Sequence, residues 1–339
     1  MVMQEAIRTL IERHSIEGQH AAAAVEAMMS GEATPAQIGA FLALMRAFGE
    51  TPEVIAACLE VTQRHAEAVP VDNVIDIVGT GADGMDTVNV STMAALVVAG
   101  AGVRVAKHGN RAASSKCGSA DVLEALGARL DIDGEHAARV VEGCGFVFLF
   151  AQRFHPALRH VGGPRREMGG RTLFNILGPL TNPARPRAML VGVSMAQLGP
   201  LMAEAFRLRG MQRAMIVYSA EGLDEISPSG PTLAWILDEG EVRQLTLTPE
   251  DFGLPAHPVA AVIGGDAQHN AAAILAVLDG ADGPVADFVL MNAAAALFVA
   301  GAAADFKTGV ALAGESIASG RAREVLDRYI FLSNQVANG

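Results

Sequence analysis

Aromatic residues are scarce in this chain: one tryptophan, two tyrosines and 13 phenylalanines make up 5% of its 339 residues, while glycine and alanine are abundant. Small side chains favour close helix packing over a sheet-only fold built on aromatic and β-branched pairs. Positive charge is also in deficit. The 25 Lys and Arg stand against 37 Asp and Glu, a formal net charge of -12. That balance argues against a general nucleic-acid or anionic-membrane binder and leaves room only for a local basic pocket. Cysteines are few: Cys58, Cys117 and Cys144 are odd in number and lack metal-ligand spacing, so they read as reduced thiols. The N-terminal "MVMQEAIRTLIERHS" mixes charged with apolar residues and has no signal-like apolar core. The longest apolar run, "FVLMNAAAALFVAGAAA", is interrupted by Asn292 and falls short of the roughly 20 residues that span a bilayer. It reads as a buried helix. These absences predict a cytoplasmic protein with no membrane or nucleic-acid partner. The chain is 51% hydrophobic and 18% charged, which is globular composition, and its length suits one large domain or two ordinary ones.

Residues 1 to about 66 read as helices alone. "ATPAQIGAFLALMRAFG" opens with Thr34 as N-cap and Pro35 in the first turn, and Thr51 and Pro52 repeat the device. No chemistry is evident there. From Val74 the texture changes to short β-branched runs alternating with helices: "NVIDIVG", "VRVAKHG", "FVFLF", "RAMLVGV" and "RAMIVYS", then a polar pair of strands in "TLAWILDEGEVRQLTL". Alternation of this kind predicts an α/β sheet with crossover connections. Helices follow at 269–280, 285–303 and 305–332. The predicted architecture is a small N-terminal helical domain packed on a larger α/β domain with a mainly parallel central sheet and C-terminal helices. The cleft lies between the two parts.

Four segments carry candidate chemistry. The first, "GTGADGMDTVNVST", spells G-x-G-x-x-G at Gly79, Gly81 and Gly84. A dinucleotide site needs the turn to open directly into a helix and an acid about 20 residues on. Here the helix is predicted to start only at Ser91, and no Asp or Glu lies between Asp86 and Asp121. What remains is a glycine turn and an Asn89–Thr92 helix start, two devices that hold anions. The second, "KHGNRAASSKCGSAD", gathers Lys107, His108, Arg111 and Lys116 after a predicted strand, with Ser119 as the expected helix cap. Forked and point charges there suit phosphate. The third, "GLDEISPSG", places Asp224 beside Glu225; adjacent carboxylates repel unless a cation sits between them, and hard oxygens suit magnesium. The fourth, residues 154–183, holds Arg159, Arg165, Arg166 and Arg171 before a rigid "NILGPLTNP". One of these arginines is suited to receive a carboxylate, and spacing alone does not select it. His155 and His160 have no visible acid partner and read as structural.

Taken in order, "GTGADG…NVST", "KHGNR…SSK.GSADVLEALG", "HPALRHVG.PRRE.G.RTLFNILGPLTNP" and "LDE" resemble the anthranilate phosphoribosyltransferase family over nearly the whole chain. The resemblance implies a fold shared with pyrimidine nucleoside phosphorylases, with a helical domain at 1–68 completed by helices near 168–190 and an α/β domain at 74–335. It implies transfer of the 5-phosphoribosyl group from 5-phosphoribosyl 1-diphosphate to the amine of anthranilate, releasing pyrophosphate, on the way to tryptophan. A homodimer through the helical domain and two magnesium ions are implied as well. Carried across residue by residue, the donor lies against Gly79, Gly81, Ala82, Asp83, Thr87, Asn89, Val90, Ser91, Thr92, Lys107, His108, Gly109, Asn110, Arg111, Ala112, Ala113, Ser114, Ser115 and Ser119. Anthranilate takes Gly79, Asn110 and Arg165, the last for its carboxylate; magnesium takes Ser91, Asp224 and Glu225. Two positions depart from the family pattern: Ala82 replaces a usual glycine, and Gly163-Pro164 replaces a usual Pro-Val. Rival readings are a nucleoside phosphorylase, a nucleic-acid-binding paralogue and, least favoured, an NAD-dependent oxidoreductase.

Overall fold

The computed structural model describes residues 1–81, 84–112 and 115–335. The chain opens with four helices, α1 (Val2–Arg13), α2 (Gly18–Met29), α3 (Pro35–Phe48) and α4 (Pro52–Arg64). Strands and helices then alternate as β1 (Ile75–Gly79), α5 (Val90–Gly100), β2 (Val105–Gly109), α6 (Ser119–Ala125), α7 (Gly134–Cys144) and β3 (Phe146–Phe150). A helical excursion follows, α8 (Ala151–Phe154), α9 (Arg159–Met168) and α10 (Leu173–Leu180), before β4 (Ala188–Gly192), α11 (Leu198–Leu208), β5 (Arg213–Ser219), β6 (Thr232–Asp238) and β7 (Glu241–Leu247). The C-terminal part is α12 (Ala267–Leu278), α13 (Pro284–Val299), α14 (Phe306–Ala318) and α15 (Arg321–Asn334).

Local chemistry sets the boundaries in the helical part. The Thr34 hydroxyl accepts from Gln37 N–H at 3.3 Å while the Gln37 side chain accepts from Thr34 N–H at 3.0 Å, a reciprocal cap just ahead of Pro35. The Thr51 hydroxyl caps α4 by accepting from Val54 N–H at 3.4 Å.

The seven strands form one sheet in the order β3-β2-β1-β4-β5-β6-β7, parallel from β3 to β5 and antiparallel at β5-β6 and β6-β7. Alternate residues feed two cores, as the period of two requires. Ile75, Ile77, Leu190, Met215 and Val217 join α5, α7, α12, α13 and α15 on one face. Val78, Met189, Val191, Ile216 and Trp235 join α11, the four N-terminal helices and α10 on the other. The helical part thus shares a continuous apolar core with the second face of the sheet. At roughly 25 cal/mol per Å² of apolar surface, that burial supplies the main force holding the two parts together.

Several sequence expectations shift. The helix expected over 305–332 is two helices, because Gly320 takes a left-handed φ of 77° between α14 and α15. Helix α5 starts at Val90, one residue before the expected Ser91. Ser119 does not cap α6; Gly118 holds that position and the Asp121 carboxylate accepts from Gly118 N–H at 2.9 Å. Of the expected polar strand pair, only β7 is exposed along its length, while β6 is largely buried. "NILGPLTNP" is mostly helix α10, with Pro179 inside it. No helix among the described residues is long and apolar enough to cross a membrane.

Candidate active site

The sheet order reverses at β1: the chain moves outward to β2 and β3, then returns to β4 on the other side. Ligands of open α/β sheets sit at such a switch point, beyond the carboxyl ends of the strands. The loops after β1, β2 and β5 meet there around a cavity of about 330 Å³. It is lined by Gly79, Gly81, Thr87, Asn89, Ser91, Lys107, His108, Gly109, Asn110, Arg111, Ala112, Ser115, Ser119, Asp224 and Glu225, all expected from the sequence. Thr80, Asp86, Cys117 and Asn175 also line it and were not expected. Ala82, Asp83, Ala113 and Ser114 lie outside the described residues. Val90 and Thr92 do not line the cavity; both are buried in the first turn of α5, and their N–H groups donate to the Val88 and Asn89 carbonyls.

The acidic loop after β5 folds back over the ends of β1 and β4, and two glycines make this approach possible. A Cβ on Gly192 would stand 1.4 Å from the Asp224 carbonyl oxygen, and one on Gly79 would stand 2.3 Å from Asp224 Oδ2. The Asp224 carboxylate accepts from Gly81 N–H at 2.6 Å, which ties it to the glycine turn. Gly79 therefore provides clearance for Asp224.

The two anion loops are laced to each other and to the segment before α12. Asn89 donates to the Cys117 carbonyl at 3.1 Å and accepts from the Asn270 amide at 2.9 Å. The Asp86 carboxylate accepts from Lys116 N–H at 3.2 Å, and Thr87 forms a β-bridge with Ile263. The Asn89 side chain is thereby committed to loop architecture.

Lys107 is buried at 2% exposure, donating to the Ile77 carbonyl at 2.5 Å and to the Ser91 hydroxyl at 3.1 Å. Burial pushes its ammonium down, and Asp76, then Glu225 and Asp224, oppose that shift. Asp76 lies fully buried beneath it, accepting from Ile77 N–H at 2.8 Å, His108 N–H at 3.1 Å and Asn182 Nδ2 at 2.8 Å. Burial raises Asp76 to about 6 in spite of these partners. Asn182, in the "LTNP" stretch, also donates to the Ala106 carbonyl at 2.7 Å and so joins β1, β2 and the end of α10. Arg111 does not point free into the cavity: it pairs with Glu124 at 2.5 Å and Asp121 at 3.2 Å.

His108 and His155 face one another with ring centroids 5.0 Å apart, both buried. Burial depresses both: His108 falls well below the usual imidazole range and His155 to about 4, so each ring is neutral at neutral pH. Arg165, on α9, does not line the cavity; it reaches the site through Asn175, which does, its guanidinium 3.4 Å from Asn175 Oδ1 and 5.6 Å from the Phe174 ring centroid. Burial lowers its pKa. Gly163 and Pro164 lie in the same helix, and Pro164 has no N–H to give to the His160 carbonyl. The helical domain also approaches the site: Arg46 and Glu50 share a narrow crevice with Thr80, Gly81, Arg171 and Asn175. Among the described residues no group of three His, Cys, Asp or Glu side chains could cage a metal. Asp224 and Glu225 bring two hard carboxylate donors to the cavity, a chemistry that suits a magnesium ion completing its shell with water and phosphate.

A sheet with this switch point, two backbone anion loops and a carboxylate pair defines a phosphate-handling transferase. Residues 71–323 match the family model "Glycosyl transferase family, a/b domain", and residues 4–66 match "Glycosyl transferase family, helical bundle domain". An anthranilate phosphoribosyltransferase of Thermomicrobium roseum is 51% identical over 322 residues, 93% of this chain and 92% of its own. The crystal structure of the Thermus thermophilus enzyme superposes with TM-score 0.91 at 42% identity, covering 97% of this chain and 99% of that one. The Saccharomyces cerevisiae enzyme in complex with PRPP and Mg gives TM-score 0.91 at 29% identity and 98% coverage of each chain; another of its structures holds 4-fluoroanthranilate. The chain belongs to the anthranilate phosphoribosyltransferase family of glycosyltransferases, enzymes of tryptophan biosynthesis.

Proposed function

We propose that the cavity at the switch point binds 5-phosphoribosyl 1-diphosphate and anthranilate and joins them to N-(5-phosphoribosyl)anthranilate and pyrophosphate. The observation that carries this reading is the meeting of two anion loops and the Asp224–Glu225 pair on one cavity. The loop after β1, the start of α5 at Ser91 and the loop after β2 hold the diphosphate. Lys107, whose ammonium form Asp76 favours against the effect of burial, lines the cavity beneath it. Asp224, Glu225 and the Ser91 hydroxyl would hold magnesium, two ions in the working complex. Bound magnesium would neutralise charge developing on the leaving pyrophosphate. Arg165, steadied by Asn175, receives the anthranilate carboxylate, and Asn110 and Gly79 border its ring. The amine nitrogen attacks the anomeric carbon from the face opposite the breaking C–O bond and then loses its proton to solvent. No covalent nucleophile is required; the protein positions the reactants and stabilises charge.

Residues 1–68 with 168–190 form the helical domain in this reading, and 74–335 the transferase domain. Homodimerisation through the helical domain is supported by Val2, Ile11 and Phe48, large apolar side chains left exposed there. The cysteines Cys58, Cys117 and Cys144 are all free, as suits a cytoplasmic enzyme. The test is anthranilate fluorescence. Its loss on mixing the protein with magnesium, 5-phosphoribosyl 1-diphosphate and anthranilate, and only with all three, is expected. A steady signal from folded protein would overturn the assignment.

A further inference from the structure

The Asp224–Glu225 pair has to stay in place before any cation arrives, although its carboxylates repel one another. The loop that carries it is pinned on both sides. Upstream, Leu223 N–H donates to the Ser219 hydroxyl at 2.8 Å; downstream, Ser227 N–H donates to the Thr232 hydroxyl at 2.9 Å. Between them Asn292, from the middle of α13, anchors the backbone. Its Oδ1 accepts from Ile226 N–H at 3.1 Å, and its Nδ2 donates to the Ile226 carbonyl at 3.3 Å and the Phe288 carbonyl at 2.9 Å. Asn292 is 1% exposed among Met291, Ala293, Ala294 and Ala295, all fully buried. A lone amide in such a place is costly unless its bonds are made. Leucine would fill the space without that cost. The amide makes sense as a clamp that takes both polar groups of the residue next to Glu225.

We infer that Asn292 is a positioning residue that presets the Asp224–Glu225 loop for the metal–diphosphate complex. This rests on the metal reading of that loop given above. The tolerance is narrow, since the Asp224 backbone already lies against Gly192 and its carboxylate against Gly79. A shift that lifts Ile226 moves the neighbouring ligands with it. Groups that orient metal ligands from behind typically alter metal affinity about 10–100-fold when removed.

The test compares Asn292→Leu and Asn292→Asp with the wild type, and uses Asp224→Asn as a reference. Two quantities are read: the magnesium concentration for half-maximal rate, and, by calorimetry without anthranilate, the gain in 5-phosphoribosyl 1-diphosphate affinity that magnesium confers. Both Asn292 variants are expected to raise the magnesium requirement about tenfold and to shrink the calorimetric gain in proportion. The anthranilate KM and the magnesium-free donor affinity should stay near wild type. A wild-type magnesium response in a folded Asn292 variant, with Asp224→Asn shifted, overturns the positioning role alone. No shift in Asp224→Asn either overturns the metal reading and this proposal with it. If both Asn292 variants fail to fold, amide exchange in the ligand-free wild type decides. Protection of Ile226 N–H comparable to Leu223 supports a preset loop, and exchange at the rate of an open loop overturns it.

Discussion

Asn270 donates from its side-chain amide to Oδ1 of Asn89 at 2.9 Å, and its own Oδ1 accepts from Gly265 N–H at 2.8 Å. Asn89 passes the link on to the second anion loop through the Cys117 carbonyl at 3.1 Å. One residue of α12, far along the chain, thus fixes the spacing of the two loops that the proposed function sets against one diphosphate. Asn270→Ala leaves a part-buried acceptor without its donor, a loss of about 1–3 kcal/mol. The expected outcome is a lower melting temperature and a KM for 5-phosphoribosyl 1-diphosphate raised about tenfold, with the anthranilate KM changed much less. Steady-state kinetics with each substrate varied would check this. Equal rises in both would mean a general loss of structure.

Gly192 faces a backbone carbonyl, which cannot swing aside as a side chain can. A methyl group there would meet the Asp224 oxygen at 1.4 Å. Gly192→Ala should therefore displace the acidic loop and abolish most activity. Gly162→Ala is the control, because a Cβ there meets nothing within 4 Å and the residue lies in a helix. It should be neutral or stabilising by about 1 kcal/mol. Thermal melts and turnover of the two variants side by side would decide. A Gly192→Ala enzyme with normal turnover would contradict the close approach.

Arg165 carries a specific asymmetry. Its guanidinium is partly buried and is steadied by Asn175, a cavity-lining residue, and by the face of Phe174. Arg165→Ala removes a charge-assisted partner for a carboxylate, an effect of about 1.5–3 kcal/mol, or roughly 10–100-fold. The anthranilate KM is expected to rise by that factor while the donor KM barely moves. Substrate analogues lacking the carboxylate should bind the variant and the parent alike; a variant that still prefers the carboxylate would remove Arg165 from this role.

The parts legible in the sequence are those whose cause is local. Thr34-Pro35 and Thr51-Pro52 announce their helices because the cap and the fixed proline φ act within one turn. Gly79 with Gly81, and Gly109 with Asn110, mark the loops after β1 and β2 because each pair closes a β-branched run. The missed features come from chain segments that meet only in the fold. Asn175, Asn182 and Asn270 look like ordinary helix or turn residues until packing aims them at β1, β2 and the anion loops. The helical N-terminus showed no chemistry, yet Arg46 and Glu50 reach the crevice beside Gly81. The break at Gly320 was readable in principle, since glycine after a helical run is a stop signal; the apolar period of α14 and α15 across it masked the stop.

His155 gives the pH prediction. Its ring is 2% exposed, and the Thr181 backbone that opposes the effect of burial is not held in a well-formed hydrogen bond. Burial lowers its pKa from 6.5 to about 4. The unfolded chain therefore binds a proton that the folded chain refuses between those two values. Stability must rise with pH through this window and be lost as pH falls from 6.5 towards 4. The full effect is on the order of 3 kcal/mol. Two neighbours complicate the raw curve. His108, depressed for the same reason, adds a loss of the same sign, while Asp76, raised from 3.8 to about 6, contributes stability that falls as pH rises across that range. The difference between wild type and His155→Leu largely cancels both. Chemical denaturation at pH 7 and at pH 4.5 should show the variant losing less stability on acidification than the parent. Parallel losses would mean that His155 is already protonated, and hence solvated, in the folded protein.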